Sequence, residues 1–173
     1  IDAYGTWRTP NQLGASGIAA RGEESARRAP ASPLRYGLPD VLGTERQRYA
    51  GRRVLVVGSG HSAQGVIQEL VALRREFPET SVVWAVRAQD LNRVFGGGEH
   101  DQLPGRGLLG LAVKKLVESG GVDVVTSFAA VSVRQTAEGW LVSSFERELP
   151  AVDEIVVAPG FRPDRALLRE LRL

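Results

Sequence analysis

Arg53-Val54-Leu55-Val56-Val57-Gly58-Ser59-Gly60-His61-Ser62-Ala63 is an apolar, valine-rich run that stops abruptly at a Gly-x-Gly turn. The run predicts a buried strand over 53–57. From His61 to about Phe77 the apolar residues Ala63, Val66, Ile67, Leu70, Val71 and Leu73 recur at helical spacing, and Pro78 marks the stop. Strand, tight turn and helix in that order form the first half of a dinucleotide-binding unit. Gly58 lets the chain turn sharply as it leaves the strand. Gly60 removes a side chain where a diphosphate comes closest to the backbone. Ala63 stands where a third glycine often sits, and its methyl group is small enough for helix to pack on sheet. The helix N-terminus then offers unpaired N–H groups and a partial positive charge to the phosphates. A lone Gly-x-Gly-x-x-Ala also occurs in structural turns that bind nothing, so the surrounding pattern has to decide.

That pattern continues in register. Ser81–Val86 reads as a second buried strand, followed by a glycine-rich loop over Phe95–Asp101, a helix from about Arg106 to Glu118 ended by Gly120-Gly121, and a short strand over Val122–Val125. Strand–helix–strand–helix–strand implies a right-handed parallel sheet. Ala130–Arg134 and Trp140–Ser143 then alternate about the turn Ala137-Glu138-Gly139, an antiparallel hairpin with a third strand expected near Glu146–Leu149. Asp153–Ala158 is a further apolar strand, ended by Pro159-Gly160, and 164–173 reads as a weak helix. The expected fold is α/β: a Rossmann-like, three-layer NAD(P)-binding domain with a parallel sheet and an antiparallel β-meander. Upstream, Ile1–Trp7 reads as a strand end. The stretch from there to Ala50 is rich in Gly, Pro, Ala and Arg without periodicity, with Pro10, Pro30, Pro33 and Pro39 breaking any helix and Thr44 a candidate cap for one helical turn.

Composition narrows the classes of function. The 173 residues carry a formal net charge of +2, and the arginines are scattered rather than gathered into a basic stripe with interleaved aromatics. This speaks against a nucleic-acid partner. Without cysteine, thiolate metal sites, disulfides and dithiol chemistry have no residues here. Glu99-His100-Asp101 has poor spacing for metal, because neighbouring side chains diverge; no metal site is expected. No apolar run reaches membrane-spanning length, and a cytoplasmic location is expected. The absence of methionine reads as a piece of a longer protein.

The exit of the second strand chooses between nicotinamide cofactors. An acidic residue there accepts the ribose 2′-hydroxyl of NAD, whereas an arginine accommodates the 2′-phosphate of NADP. Here Val86 leads into Arg87, whose forked guanidinium suits a phosphate. NADPH is therefore favoured over NADH. Asp90 is the rival should the strand end later, and a solvated surface arginine is the plain alternative for Arg87. His61 either contacts a phosphate or simply tops the helix. The Gly96–Gly98 run reads either as a loop near the nicotinamide or as a connector.

Two further stretches resemble a known family. Asp2-Ala3-Tyr4-Gly5-Thr6-Trp7 is similar to the Ala-Thr-Gly-Thr-Trp stretch of two-dinucleotide-domain flavoproteins, and Ile155–Asp164, with Pro159-Gly160-Phe161-Arg162-Pro163-Asp164, resembles their second such stretch, Ala-Thr-Gly-Phe-x-Pro-Asp. In flavin-containing monooxygenases and thioredoxin-reductase-like enzymes these mark the crossings between an FAD domain and an inserted NAD(P)H domain. The resemblance implies that 1–50 is a connector from an FAD-binding domain outside this sequence, 51–160 the NAD(P)H-binding domain, and 161–173 the return linker. It implies NADPH at Gly58, Ser59, Gly60, His61, Ser62, Ala63 and Gly160 with Arg87 near the 2′-phosphate, and FAD held mainly by the other domain. The chain would be part of an FAD-dependent oxidoreductase acting on a small-molecule substrate, itself inactive in isolation. Tyr4 and Pro159 depart from the threonine of each crossing. A monooxygenase-like and a reductase-like parent both remain open.

Two other classes stand beside this reading. One is a stand-alone nucleotide-binding or sensing module without catalysis. The other is a single-domain dehydrogenase or methyltransferase, against which count the missing Tyr-x-x-x-Lys pair and the arginine, rather than an acid, after the second strand.

Overall fold

The computed structural model describes residues 9–15, 17–96 and 103–163. Five parallel strands form the sheet: β1 (Leu34–Tyr36), β2 (Arg53–Val57), β3 (Ser81–Ala85), β4 (Asp123–Val125) and β7 (Glu154–Val157), in the order β1-β7-β2-β3-β4. The glycine-turn strand β2 lies at the centre, paired Val54 to Val82 on one side and Leu55 to Ile155 on the other. A central strand has both faces covered, which is why Val54 to Val57 are apolar without interruption and buried.

The alternation of side chains sorts the core into two halves. Val54, Val56, Val82, Trp84 and Val156 face α3 (His61–Arg74) and α4 (Pro104–Glu118), whose Val66, Ile67, Leu70 and Val113 pack onto them. Leu55, Val57, Ala85, Ile155 and Val157 face the other way, onto the antiparallel hairpin of β5 (Ser132–Thr136) and β6 (Gly139–Ser143) and onto Ala26 of α1 (Glu23–Arg28). The result is three layers: helices, parallel sheet, then hairpin with a short helix. The hairpin layer is tied to the sheet at Arg53, whose guanidinium donates two hydrogen bonds to the Asp153 carboxylate, at 2.7 and 3.2 Å, beside a third from its amide at 2.8 Å, and donates to the Glu138 carbonyl oxygen in the hairpin turn.

The elements after residue 52 follow the sequence reading within about three residues, the largest gap being the end of α3 at Arg74 rather than near Phe77. Three local differences have physical causes. The expected third meander strand is reduced to a single bridge between Ser143 and Glu148, because the Ser144 side chain folds 144–147 into a turn by accepting the amides of Glu146 and Arg147. Thr44 caps no helix. The turn before α2 (Arg46–Tyr49) is organised by Asp40, whose carboxylate accepts the amides of Gly43 and Thr44 and the Thr44 hydroxyl. Those bonds hold the Asp40 carboxyl below its ordinary pKa. Last, the aperiodic stretch contains β1, which pairs with β7 at the sheet edge, and α1 beneath it. The expectations for Ile1–Trp7, for 97–101 with Glu99, His100 and Asp101, and for 164–173 lie outside the described residues.

Candidate functional site

A cavity of about 330 Å³ opens at the C-terminal ends of β2, β3 and β7, the edge at which open parallel sheets bind ligands. Its first wall is the glycine turn. Val57, Gly58, Ser59, Gly60 and Ser62 line it. Gly58 is irreplaceable on steric grounds. Its φ is +137°, and a Cβ there would stand 2.2 Å from the Ala158 carbonyl oxygen, so the exit of β7 crosses directly against the turn. From beneath, the buried Trp84 indole N–H donates to the Gly58 carbonyl oxygen at 2.7 Å, while the Gly58 amide bonds Ala85 at 3.2 Å. Gly60 is different. Its φ is ordinary at −86°, and a Cβ would meet nothing within 4 Å: the space in front of it is vacant.

Gly60 is the N-cap of α3, and no side chain caps that end. The first i→i−4 bond runs from the Gln64 amide to the Gly60 carbonyl oxygen, leaving the amides of His61, Ser62 and Ala63 outside the ladder. No acidic residue occupies the first turn. This end of the helix is thus a ready acceptor of negative charge. Of the predicted residues, Gly58, Ser59, Gly60, Ser62, Arg87 and Gly160 come together around the cavity. His61 is exposed and Ala63 is buried in the helix-side core, neither in the lining.

Arg87 reaches the cavity from the exit of β3. The chain around it is clamped by residues leaving β4, since Val86 donates to Val125, Phe128 to Val86 and Ser127 to Ala88, each at 2.9 Å. Its rival Asp90 does not line the cavity. The Asp90 carboxylate accepts both the amide and the side-chain NH₂ of Asn92, at 2.9 and 3.1 Å, bonds that lower its pKa. Gly160, with φ +100°, closes the far side, where Asn11 donates its amide to the Gly160 carbonyl oxygen and Arg162 donates to Thr9.

The opposite wall is one that sequence reasoning missed: the strap of Asn11, Gln12, Leu13, Gly14, Ala15 and Gly17. It has no regular secondary structure and no periodic signal. The Arg87 guanidinium donates across the gap to the Ala15 carbonyl oxygen at 3.1 Å. The strap is secured by Glu23, 2% exposed, whose carboxylate accepts the amides of Leu13, Gly14 and Ala20 at 2.8, 3.3 and 2.7 Å and the Tyr36 hydroxyl at 2.6 Å. Burial, reinforced by that carboxylate, pushes the Tyr36 hydroxyl well above the usual phenol range. Gly22 before Glu23, a left-handed residue beside the Val133 carbonyl, was the only local sequence hint.

Among the described residues there is no group of three or more His, Cys, Asp or Glu that could hold a metal ion, and no helix long and apolar enough to cross a membrane.

No protein-family model matches the chain, and no curated protein matches it. Solved structures do. It is similar to the bacillithiol disulfide reductase of Bacillus cereus, at 17% identity and TM-score 0.62 over 95% of this chain and 41% of that one. It is also similar to a water-forming NADH oxidase of Lactobacillus brevis bound to NADH, at 14% identity and TM-score 0.56 over 88% of this chain and 30% of that one. An engineered NADPH oxidase made from the latter, bound to NADPH, matches at 15% identity and TM-score 0.55 over 84% and 29%. The chain therefore has the Rossmann-like fold of a segment of these oxidoreductases, and it spans less than half the length of any of the three.

Proposed function

We propose that this chain is the NADPH-binding portion of an FAD-dependent oxidoreductase, and that its cavity takes the phosphate-bearing part of the nucleotide. The observation that carries the reading is the convergence, at one sheet edge, of an uncapped helix N-terminus, vacant space before Gly60, and Arg87. The diphosphate would lie at Gly58, Ser59, Gly60, His61 and Ser62, accepting amide hydrogens at the start of α3. Ala63 would serve only by letting that helix approach the sheet. Arg87, on the far side of the cavity, would form forked hydrogen bonds with the 2′-phosphate. With Asp90 engaged by Asn92, no carboxylate competes for a ribose hydroxyl in the lining, and this supports NADPH over NADH. The engineered NADPH oxidase offers a parallel: among its five substitutions one removes an aspartate and two introduce arginine.

Bound NADPH supplies a hydride, and FAD is the acceptor the resemblance implies. The protein's part is to orient the nucleotide and exclude competing groups from the phosphate site. Residues 51–160 would be the nucleotide domain. The segments before and after would lead to the FAD domain, and residues 9–11, which follow the first crossing, run beside 159–162 within the second. Lacking cysteine, the chain would contribute no dithiol relay of its own. The parent would be cytoplasmic, with a small-molecule substrate meeting the flavin outside these residues.

Calorimetric titration with NADP⁺ and NAD⁺, on the wild-type chain and on Arg87→Ala, tests this. NADP⁺ should bind about tenfold or more tightly than NAD⁺, and the variant should lose that margin while keeping NAD⁺ binding. Equal binding of both by the wild type would reject the role of Arg87.

A further inference from the structure

We infer that Glu23, remote in sequence from the glycine turn, is the positioning residue that sets nucleotide discrimination, because it holds the strap against which Arg87 is aligned. The inference rests on the NADPH reading above and names a residue that reading does not use.

A buried carboxylate is costly unless its oxygens are fully engaged. Among the described residues no cation pairs with Glu23. Three backbone amides and one hydroxyl engage it instead. The amides belong to the two ends of one loop, Leu13-Gly14 and Ala20. A single side chain thus closes a loop that, among the described residues, contains no helix or strand and touches the run into β5 only at Ala15 and, just beyond it, Arg21. The loop is also tight on itself. A Cβ on Gly14 would stand 2.1 Å from the Ile18 carbonyl oxygen, and the Ala15 amide bonds the Ala130 carbonyl at 3.0 Å.

The carbonyl that receives the Arg87 guanidinium is that of Ala15, immediately after the two clamped amides. Arg87 is an exposed side chain with several rotatable bonds, and the Ala15 carbonyl is what aims it across the cavity. Fixing one guanidinium nitrogen on a backbone oxygen restricts the side chain's rotamers at the cavity wall and leaves its other donors available to a 2′-phosphate. Preorganisation of this kind raises affinity by removing an ordering cost at binding. If the strap loosens, Arg87 keeps its charge but loses its direction. Affinity for the 2′-phosphate should fall, while binding of the shared diphosphate at the helix N-terminus is largely spared.

The test is Glu23→Gln in the full chain, with Tyr36→Phe as a gentler variant that removes one of the four donors. Hydrogen exchange in the absence of nucleotide reads the clamp directly. The amides of Leu13, Gly14 and Ala20 should exchange about tenfold or more faster in Glu23→Gln, with those of β2 unchanged. Titration should then show NADP⁺ affinity falling about tenfold and NAD⁺ affinity by less than about threefold, with a smaller shift of the same sign in Tyr36→Phe. Unchanged exchange in the strap, or equal acceleration in strap and β2, would overturn the inference, as would equal loss of both nucleotides. A wild-type chain that does not discriminate at all would reject the NADPH reading and the positioning role with it. A discriminating wild type with an equally discriminating Glu23→Gln would reject the positioning role alone.

Discussion

The two walls of the cavity are built in opposite ways. The glycine turn is the product of regular structure: β2 at the centre of the sheet, α3 behind it, Trp84 bonded to it from below and the exit of β7 pressed against it. The strap of residues 11–15 and 17 has no helix or strand of its own and is held by separate bonds to distant parts of the chain. The Glu23 carboxylate takes the amides of Leu13 and Gly14, Ala130 that of Ala15 and Gly160 that of Asn11. Rigidity in the first wall comes from continuous regular structure; in the second it comes from a few separate long-range bonds, of which the Glu23 carboxylate accepts the most. A site made this way keeps its phosphate cradle under most substitutions and is more vulnerable in the wall that meets Arg87, above all at Glu23.

The comparison can be broken most violently at Gly58. Gly58→Ala combines a left-handed φ with a Cβ 2.2 Å from a backbone oxygen, and should cost on the order of 3 kcal/mol in chemical denaturation. A loss below about 1 kcal/mol would mean that the β7 exit yields and the first wall is not rigid. Trp84→Phe leaves the half-buried Gly58 carbonyl without its indole donor, and should cost about 1–3 kcal/mol. Stability unchanged in that variant would show that the turn does not need its support.

Between hairpin and sheet, Asp153→Asn should lower stability by no more than about 1 kcal/mol near neutral pH, because the Arg53 guanidinium is partly solvated. The hydrogen bonds from Arg53 hold the Asp153 carboxyl below its ordinary pKa. Its contribution is accordingly present above the unfolded value of about 4 and is lost as pH falls through the lower folded value. The difference between wild type and variant should therefore shrink on acidification below about pH 4, and a difference that grows there would have the wrong sign. Comparably small in stability is Gly60→Ala. Nothing lies within 4 Å of the added methyl, so stability should fall by no more than about 1 kcal/mol, the margin by which glycine is the better N-cap. NADP⁺ affinity should nonetheless fall about tenfold, because the methyl occupies the place of the phosphates. Two neighbouring glycines, one structural and one kept free for ligand, would thereby be separated experimentally.

The difference between the walls also explains what the sequence could disclose. Val54 to Val57, the helical spacing from Ala63 to Leu73 and the Gly-x-Gly between them are local signals, since each residue's role is set by neighbours a few positions away. The place of Arg87 at the exit of β3 was legible for the same reason, since it is the first polar residue after a recognisable strand. The strap was not. Leu13, Gly14 and Ala20 are organised by Glu23, Ala15 by Ala130, and Asn11 by Gly160, so the longest of these contacts spans most of the chain and no window reveals it. β1 escaped notice because three residues, Leu34–Tyr36, are too short to show alternation. Its strand character comes from pairing with β7. Thr44 misled because the neighbouring Asp40 competes better for the free amides of the turn.

The most direct test of the account is a crystal structure of this chain with NADP⁺. The account predicts the diphosphate in front of Gly60 at the N-terminus of α3, with the 2′-phosphate within hydrogen-bonding distance of Arg87 and the strap in place beside it. A nucleotide seated elsewhere, or one whose 2′-phosphate points away from Arg87, would contradict it.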